Sequence, residues 1–338
     1  MQFNHNNRFS SRTSIKKKIL NFFLNRYFDK INHKKLSLKK IQYHNKILKK
    51  KYYVIATNKK KGFFSLLLFV LNHLKFAFKN KLEPIIDWQN FPTLYNDKSK
   101  MLESYDPWKY YFKKINNLNI DVIYKEGNYV FCHDKNIYTK NNSFNQSLEK
   151  TYYKHIKINN RILKKYNHYK KTLFGFDKNI LGIHFRGTDM RYSPNHPLPP
   201  TEKQILKITT NLIKKHNFKK IFLVTEDLSN FNYMKIKFND QIIYIDNFRS
   251  NKSKVFSIYP RKLHNYKMGE ESLLNGLLLS NCKIVISSQT GISDFAKFLN
   301  ADIKFIKIKN GINSKRILYA MFKWKIQNLL PSFLGGFK

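Results

Sequence analysis

Between residues 180 and 308, short apolar runs alternate with helical segments, and this alternation limits the fold more than any other feature of the chain. Ile180-Leu-Gly-Ile-His-Phe185, Ile221-Phe-Leu-Val224, Gln241-Ile-Ile-Tyr-Ile-Asp246, Lys283-Ile-Val-Ile286 and Ile303–Ile308 read as strands. A proline-bearing loop runs to Pro200, Thr201 is a fitting N-cap for the helix after it, and residues 270–279 and 291–299 carry helical patterns. Strands separated by helices build a mostly parallel, doubly wound sheet.

The first half shows the same grammar less regularly. Tyr52–Thr57 reads as a strand, Asn58–Gly62 as a loop, Phe63–Phe78 as an apolar-faced helix and Glu83–Trp88 as a second strand, which together make a βαβ unit. Trp108–Phe112 is an aromatic cluster, Asp121–Tyr124 and Tyr129–Phe131 read as further strands, and a helix over Tyr152–Lys171 links the halves. The expected architecture is α/β, with two Rossmann-like domains over 51–172 and 173–338 and a basic helical N-terminal arm over 1–50.

Composition narrows the function classes. The formal charge of +43 suggests an anionic partner, but the basic residues are spread along the whole length, and only nine of the 64 are arginine. That skew fits an AT-rich genome as well as selection for a partner, so no specific nucleic-acid binding is expected. Peripheral contact with anionic lipid is favoured instead, since basic groups near a membrane gain about 1 kcal/mol each. Two cysteines make neither a disulfide framework nor a metal cluster and suit a reducing compartment. The apolar stretch Phe63–Leu71 is too short to span a bilayer. The expected location is the cytoplasm, peripheral at the inner membrane.

In open α/β sheets, ligands sit beyond the carboxyl ends of the strands. Four strands here end in polar groups: His184, Arg186, Thr188 and Asp189; Thr225, Glu226 and Asp227; Asp246 and Asn247; and Ser287, Ser288, Gln289 and Thr290 before Gly291. The last group offers hydroxyls and backbone N–H groups at a helix start, which suits a phosphate. Arg186 can fork onto phosphate oxygens as lysine cannot. No Asp-x-Asp tripeptide, P-loop or Gly-x-Ser-x-Gly elbow occurs, so charge on a leaving diphosphate falls to Arg, Lys, His and helix N-termini.

In this order the motifs resemble those of the α1,6-, α1,2- and protein O-fucosyltransferase superfamily, most of all the α1,6 type. His184-Phe-Arg-Gly-Thr-Asp189 is similar to that family's His-x-Arg-x-x-Asp, with His196-Pro197 following it. Phe222–Asp227 is similar to its strand ending in Thr-Asp-Asp, Ile245-Asp-Asn247 to its strand ending in Asp-Asn, and Ser287-Ser-Gln289 to its Ser-Ser-Gln. The resemblance implies a GT-B-like fold, GDP-fucose as donor substrate, inversion at the anomeric carbon, and neither cofactor nor metal. It places Arg186 and His184 at the diphosphate, Ser288 and Gln289 on the phosphates, and Asn275 where the family holds guanine with Asp. Asn58 and Gly62 fall in the weaker N-terminal part of the match. Met190–Asn195 lacks the family's Glu base, which leaves His196 or Asp189 to take the acceptor proton. The Ser-Ser-Gln spacing is about three residues short of the family's, so Thr290 and Gly291 are alternative occupants of that place.

Each of these residues also has a plainer reading. His184 also reads as a core histidine, although Arg186 two residues on favours the site; Glu226 and Asp227 read as a helix N-cap pair, Asp189 as an orienting partner of Arg186, and His196 as a turn residue before Pro197. The sequence-level reading is a fucosyltransferase acting on a glycan or lipid-linked glycan in envelope polysaccharide or glycolipid synthesis. Its rivals are a non-catalytic nucleotide- or glycan-binding protein of the same fold and a basic nucleic-acid-binding protein.

Overall fold

The hub of the larger sheet is strand β4 (Ile180–His184), every residue of which is buried. The computed structural model describes residues 51–57, 60–101, 103–132, 143–251, 256, 258–288 and 290–337. The expected N-terminal arm over 1–50, Asn58 and Gln289 lie outside the described residues.

Strand β4 pairs in parallel with β5 (Lys220–Val224) on one side and β7 (Ile284–Ser287) on the other. Strands β6 (Ile242–Ile243) and β8 (Lys304–Lys307) form the edges, giving the order β6-β5-β4-β7-β8. The uninterrupted apolar runs arise because helices cover both faces of a parallel sheet. Gly182 at the centre of β4 is required by packing. A Cβ there would stand 2.9 Å from Leu279 Cδ2 and 3.0 Å from both Cys282 Sγ and Val285 Cγ2.

A second parallel sheet has the order β2-β1-β3, from β1 (Tyr52–Ile55), β2 (Glu83–Ile86) and β3 (Tyr129–Phe131). Helix α1 (Phe63–Lys79) crosses from β1 to β2. Its buried residues lie on most of its circumference because it is covered by a sheet on one side and by helices from the C-terminal half on the other. Phe64 stacks on Phe295 of α9 (Gly291–Leu299), with ring centroids 4.6 Å apart. One apolar cluster thus runs through both halves.

Two expected elements differ. Asp121–Tyr124 lies in helix α3 (Ile120–Glu126), not a strand: Asn119 caps its start and Gly127, at φ +66°, ends it. The single helix expected over Tyr152–Lys171 is two, α4 (Glu149–His155) and α5 (Asn160–Tyr169). Between them the backbone pairs with the segment after the short helix α2 (Pro107–Tyr111): Lys113 N–H donates to Lys157 O at 2.7 Å and Asn159 N–H to Tyr111 O at 2.9 Å. These long-range bonds take up Lys157 O and Asn159 N–H, which a continuous helix would have used within itself.

Helix α5 is tied to α8 (His264–Leu279) by Arg161 and Lys165, 2.8 and 2.7 Å from the two carboxylate oxygens of the buried Glu270. Helix α6 (Glu202–His216) starts as expected at Thr201, which forms a capping box with Gln204. Helices α7 (Leu228–Phe238) and α10 (Ile317–Leu329) complete the half.

Candidate active site

The strand order reverses between β4 and β7. On one side of that line the chain proceeds through β5 to β6, and on the other to β8, which makes it the switch point where open α/β sheets form their ligand crevice. His184 and Ser287 are register partners at its floor. The start of α1 faces the start of α9 across this region: a Cβ on Gly291 would lie 2.9 Å from Phe64 Cβ. Gly62 caps α1 with no side-chain hydrogen bond, whereas Thr290 caps α9 through its hydroxyl.

His184 is almost fully buried, and its Nδ1 lies 2.9 Å from Thr290 Oγ1. Burial, with Arg186 nearby, pushes its pKa down to about 3. The ring is therefore neutral near pH 7 and can engage an anion only through an N–H group. It joins the end of β4 to the cap of α9, across the line of the crevice.

Arg186 is the fork of the site. One guanidinium nitrogen is 3.0 Å from Asp189 Oδ1 and the other 3.5 Å from Glu226 Oε2. Burial opposes its charge, but Glu226 and Asp189 outweigh burial and raise its pKa. The two acids differ in commitment. Glu226 also accepts from Gly187 N–H at 3.0 Å and from the Thr188 hydroxyl at 3.1 Å. The Asp189 side chain is 46% exposed and holds Arg186 from the open side.

Asp227 builds the support beneath. It is buried, caps α7 by accepting from Ser229 and Asn230 N–H, accepts from Thr188 N–H at 3.0 Å, and pairs with Arg191 at 3.0 Å. Glu226 and Asp227 thus both serve the Arg186 loop, and Asp227 alone of the two also caps the helix start. Thr188 sits at φ +34°, a strained setting for a β-branched residue that these bonds hold in place.

Ser287 donates to Ser288 O at 2.5 Å. Ser288 Oγ and, on α8, Asn275 Oδ1 are buried with no hydrogen-bond partner, a costly condition that a ligand donor would relieve. Asn275 precedes Gly276, which packs against Phe64 and Phe295. His196 is exposed, and its carbonyl accepts from Asn313 N–H at 2.8 Å. No hydrogen bond joins it to the Arg186 cluster.

Residues that the sequence did not single out matter too. Arg191 and Asn230 lock Asp227, and Gly187 leaves room for it. Tyr95, buried in the first half and packed edge-on against Phe63, has its phenol pKa raised by burial, a shift that the nearby Arg186 charge only partly offsets. The scarcity of arginine was the available signal for Arg191. Nothing local marked Tyr95.

Together, a forked cation, a neutral imidazole, unpaired polar groups and helix starts make a crevice that can bind a phosphorylated ligand and stabilise charge on a departing diphosphate. Among the described residues no group of three or more His, Cys, Asp or Glu side chains could hold a metal ion. No protein-family model matches the chain, and no curated protein matches its sequence. Solved structures share its fold. NodZ α-1,6-fucosyltransferase soaked with GDP-fucose is similar at a TM-score of 0.51 and 14% identity, over 78% of this chain and 98% of that one. NodZ co-crystallised with GDP gives 0.51 and 15%, over 77% and 96%. Fucosyltransferase NodZ from Bradyrhizobium gives 0.50 and 15%, over 74% and 94%. At these identities the likeness is one of fold.

Proposed function

We propose that this chain is an inverting glycosyltransferase that moves fucose from GDP-fucose to a glycan hydroxyl, in envelope polysaccharide or glycolipid synthesis. The observation that carries the reading is Arg186 beside neutral His184 at the switch point of the larger sheet, in a fold shared with a fucosyltransferase solved with that donor. Residues 173–338 would form the donor domain and 51–172 the acceptor side. The location is the cytoplasmic face of an anionic inner membrane.

Arg186 exchanges Asp189 for the β-phosphate, while Glu226 and Asp227 keep its loop in place. The helix start at Gly291, Thr290, Ser288 and Gln289 serves the remaining phosphate oxygens, and Asn275 Oδ1 accepts from guanine. Asn58 and Gly62 close the donor from the first half. The acceptor oxygen attacks the anomeric carbon, the bond from that carbon to the diphosphate oxygen breaks, and GDP leaves with the electron pair. The acceptor proton passes to Asp189, freed by the same exchange, or to His196. The absence of the Glu base favours one second reading, a binder that holds GDP without turnover. Release of GDP from GDP-fucose decides between them: the wild type is expected to release GDP, and Arg186→Ala to lose most of that rate. Saturable binding with no release would establish the binder, and an undiminished rate in Arg186→Ala would refute the site.

A further inference from the structure

Helix α10 is amphipathic the wrong way round for a soluble surface. Its inward side holds Ala320, fully buried, together with Lys323, Trp324 and Gln327, whose side-chain N–H groups each donate to a backbone carbonyl of the protein. Trp324 Nε1 donates to Pro199 O at 3.1 Å, Gln327 to Gly335 O at 3.1 Å and Lys323 to Ile312 O at 2.7 Å. The outward side carries Leu318, Phe322, Ile326 and Leu329, which are 73%, 54%, 53% and 70% exposed. Their spacing of four, four and three residues keeps them on one arc of the helix. Phe333, 84% exposed, continues the patch past the helix end.

The charges around this arc are cationic. Lys315 and Arg316 are exposed at the helix start, and exposed Lys325 borders the apolar arc, its ammonium 6.0 Å from the centre of the Tyr192 ring. No acidic residue occurs between Asp302 and the end of the sequence, and the chain as a whole carries +43. An apolar strip bordered by cations on a strongly basic protein is complementary to an anionic bilayer surface and less suited to a second copy of the same basic chain. No helix among the described residues is long and apolar enough to cross a membrane, so such a helix would lie in the interface.

The inward side of α10 meets the active-site loop. The Arg191 guanidinium lies over the Trp324 ring at 4.8 Å, and Arg191 holds Asp227 beneath the Arg186 loop. We propose that α10 is a membrane-docking helix that seats the active-site loop at an anionic lipid surface, where a lipid-linked or membrane-borne acceptor is presented. Its purpose rests on the transferase reading above, but the docking is tested without donor or acceptor. The failure of either therefore leaves the other standing.

The test is co-sedimentation of the full chain with vesicles of phosphatidylcholine alone and with phosphatidylglycerol added, alongside light scattering in solution. The wild type is expected to bind the anionic vesicles, less at high salt, and to be monomeric without them. The triple variant L318E/F322E/L329E changes exposed positions only. It is expected to keep the wild-type melting temperature while its vesicle partitioning falls about a hundredfold. Lack of wild-type binding to anionic vesicles would overturn the proposal. So would undiminished binding by the variant, which would assign attachment to the general basic surface. A dimer that the substitutions dissociate would assign the face to self-association instead.

Discussion

Gly187→Ala tests whether the Arg186 loop is built as described. A Cβ at this position would stand 2.3 Å from Asp227 Oδ2, 2.7 Å from Asp227 Cβ and 2.8 Å from Asn230 Nδ2. Those atoms cannot swing aside, because Asp227 is held by Ser229 and Asn230 N–H, Thr188 N–H and Arg191 together. The added methyl must displace either the loop or the start of α7. Overpacking of this kind costs about 1–3 kcal/mol, and loosening the cap adds about 1 kcal/mol, so a total of about 2–4 kcal/mol is expected. Urea unfolding followed by circular dichroism reads it as a lower midpoint at unchanged slope. Because Arg186 immediately precedes Gly187, GDP affinity is expected to fall by about tenfold or more, the worth of a charge-assisted phosphate contact. Stability within about 0.5 kcal/mol of wild type and unchanged GDP affinity would refute the loop geometry.

Further expectations follow from the same contacts. Asp227→Asn leaves Arg191 without its carboxylate and is expected to destabilise by about 2–4 kcal/mol in urea unfolding, below the full cost of a broken buried pair because the Arg191 side chain is 21% exposed. Arg186→Lys keeps the charge but loses the fork, so GDP should bind about tenfold more weakly by titration calorimetry while the melting temperature stays near wild type. His184 has its folded pKa pushed down to about 3, so the unfolded chain binds the extra proton between about pH 6.5 and 3. Stability from this residue therefore falls as pH is lowered through that window, by up to about 1.4 kcal/mol per unit. Asp106, raised to about 6 by burial, acts in the opposite sense below that pH. The pH dependence of the difference between wild type and His184→Gln isolates the imidazole, and a flat difference would show that His184 is not buried and neutral.

The parallel strands around β4 could be read from the chain because their runs are apolar without interruption, as burial on both faces demands. Their polar ends followed from the same reading, and His184, Arg186, Glu226 and Asp227 do lie at adjoining strand ends. Which of them acts directly was not legible. The sequence offers Asp227 both as a helix cap and as a site residue, and the structure gives it the cap together with the loop support. The misread elements lack long-range independence. Asp121-Val-Ile-Tyr124 has the composition of a strand, yet Asn119 and Gly127 bound it as a helix. Ile156–Asn159 looked helical until the backbone of 111–113 competed for its hydrogen bonds. The outward apolar arc of α10 is invisible to periodicity alone, because the pattern shows that a helix has two faces but not which one the protein covers.

The most direct test of the central claim is titration calorimetry of wild type and Arg186→Ala against GDP, UDP, CMP and dTDP and their sugars. The account predicts binding selective for GDP and GDP-fucose by the wild type, and a loss of about tenfold or more in Arg186→Ala. Equal binding of all four nucleotides, or GDP binding that survives Arg186→Ala unchanged, would contradict it.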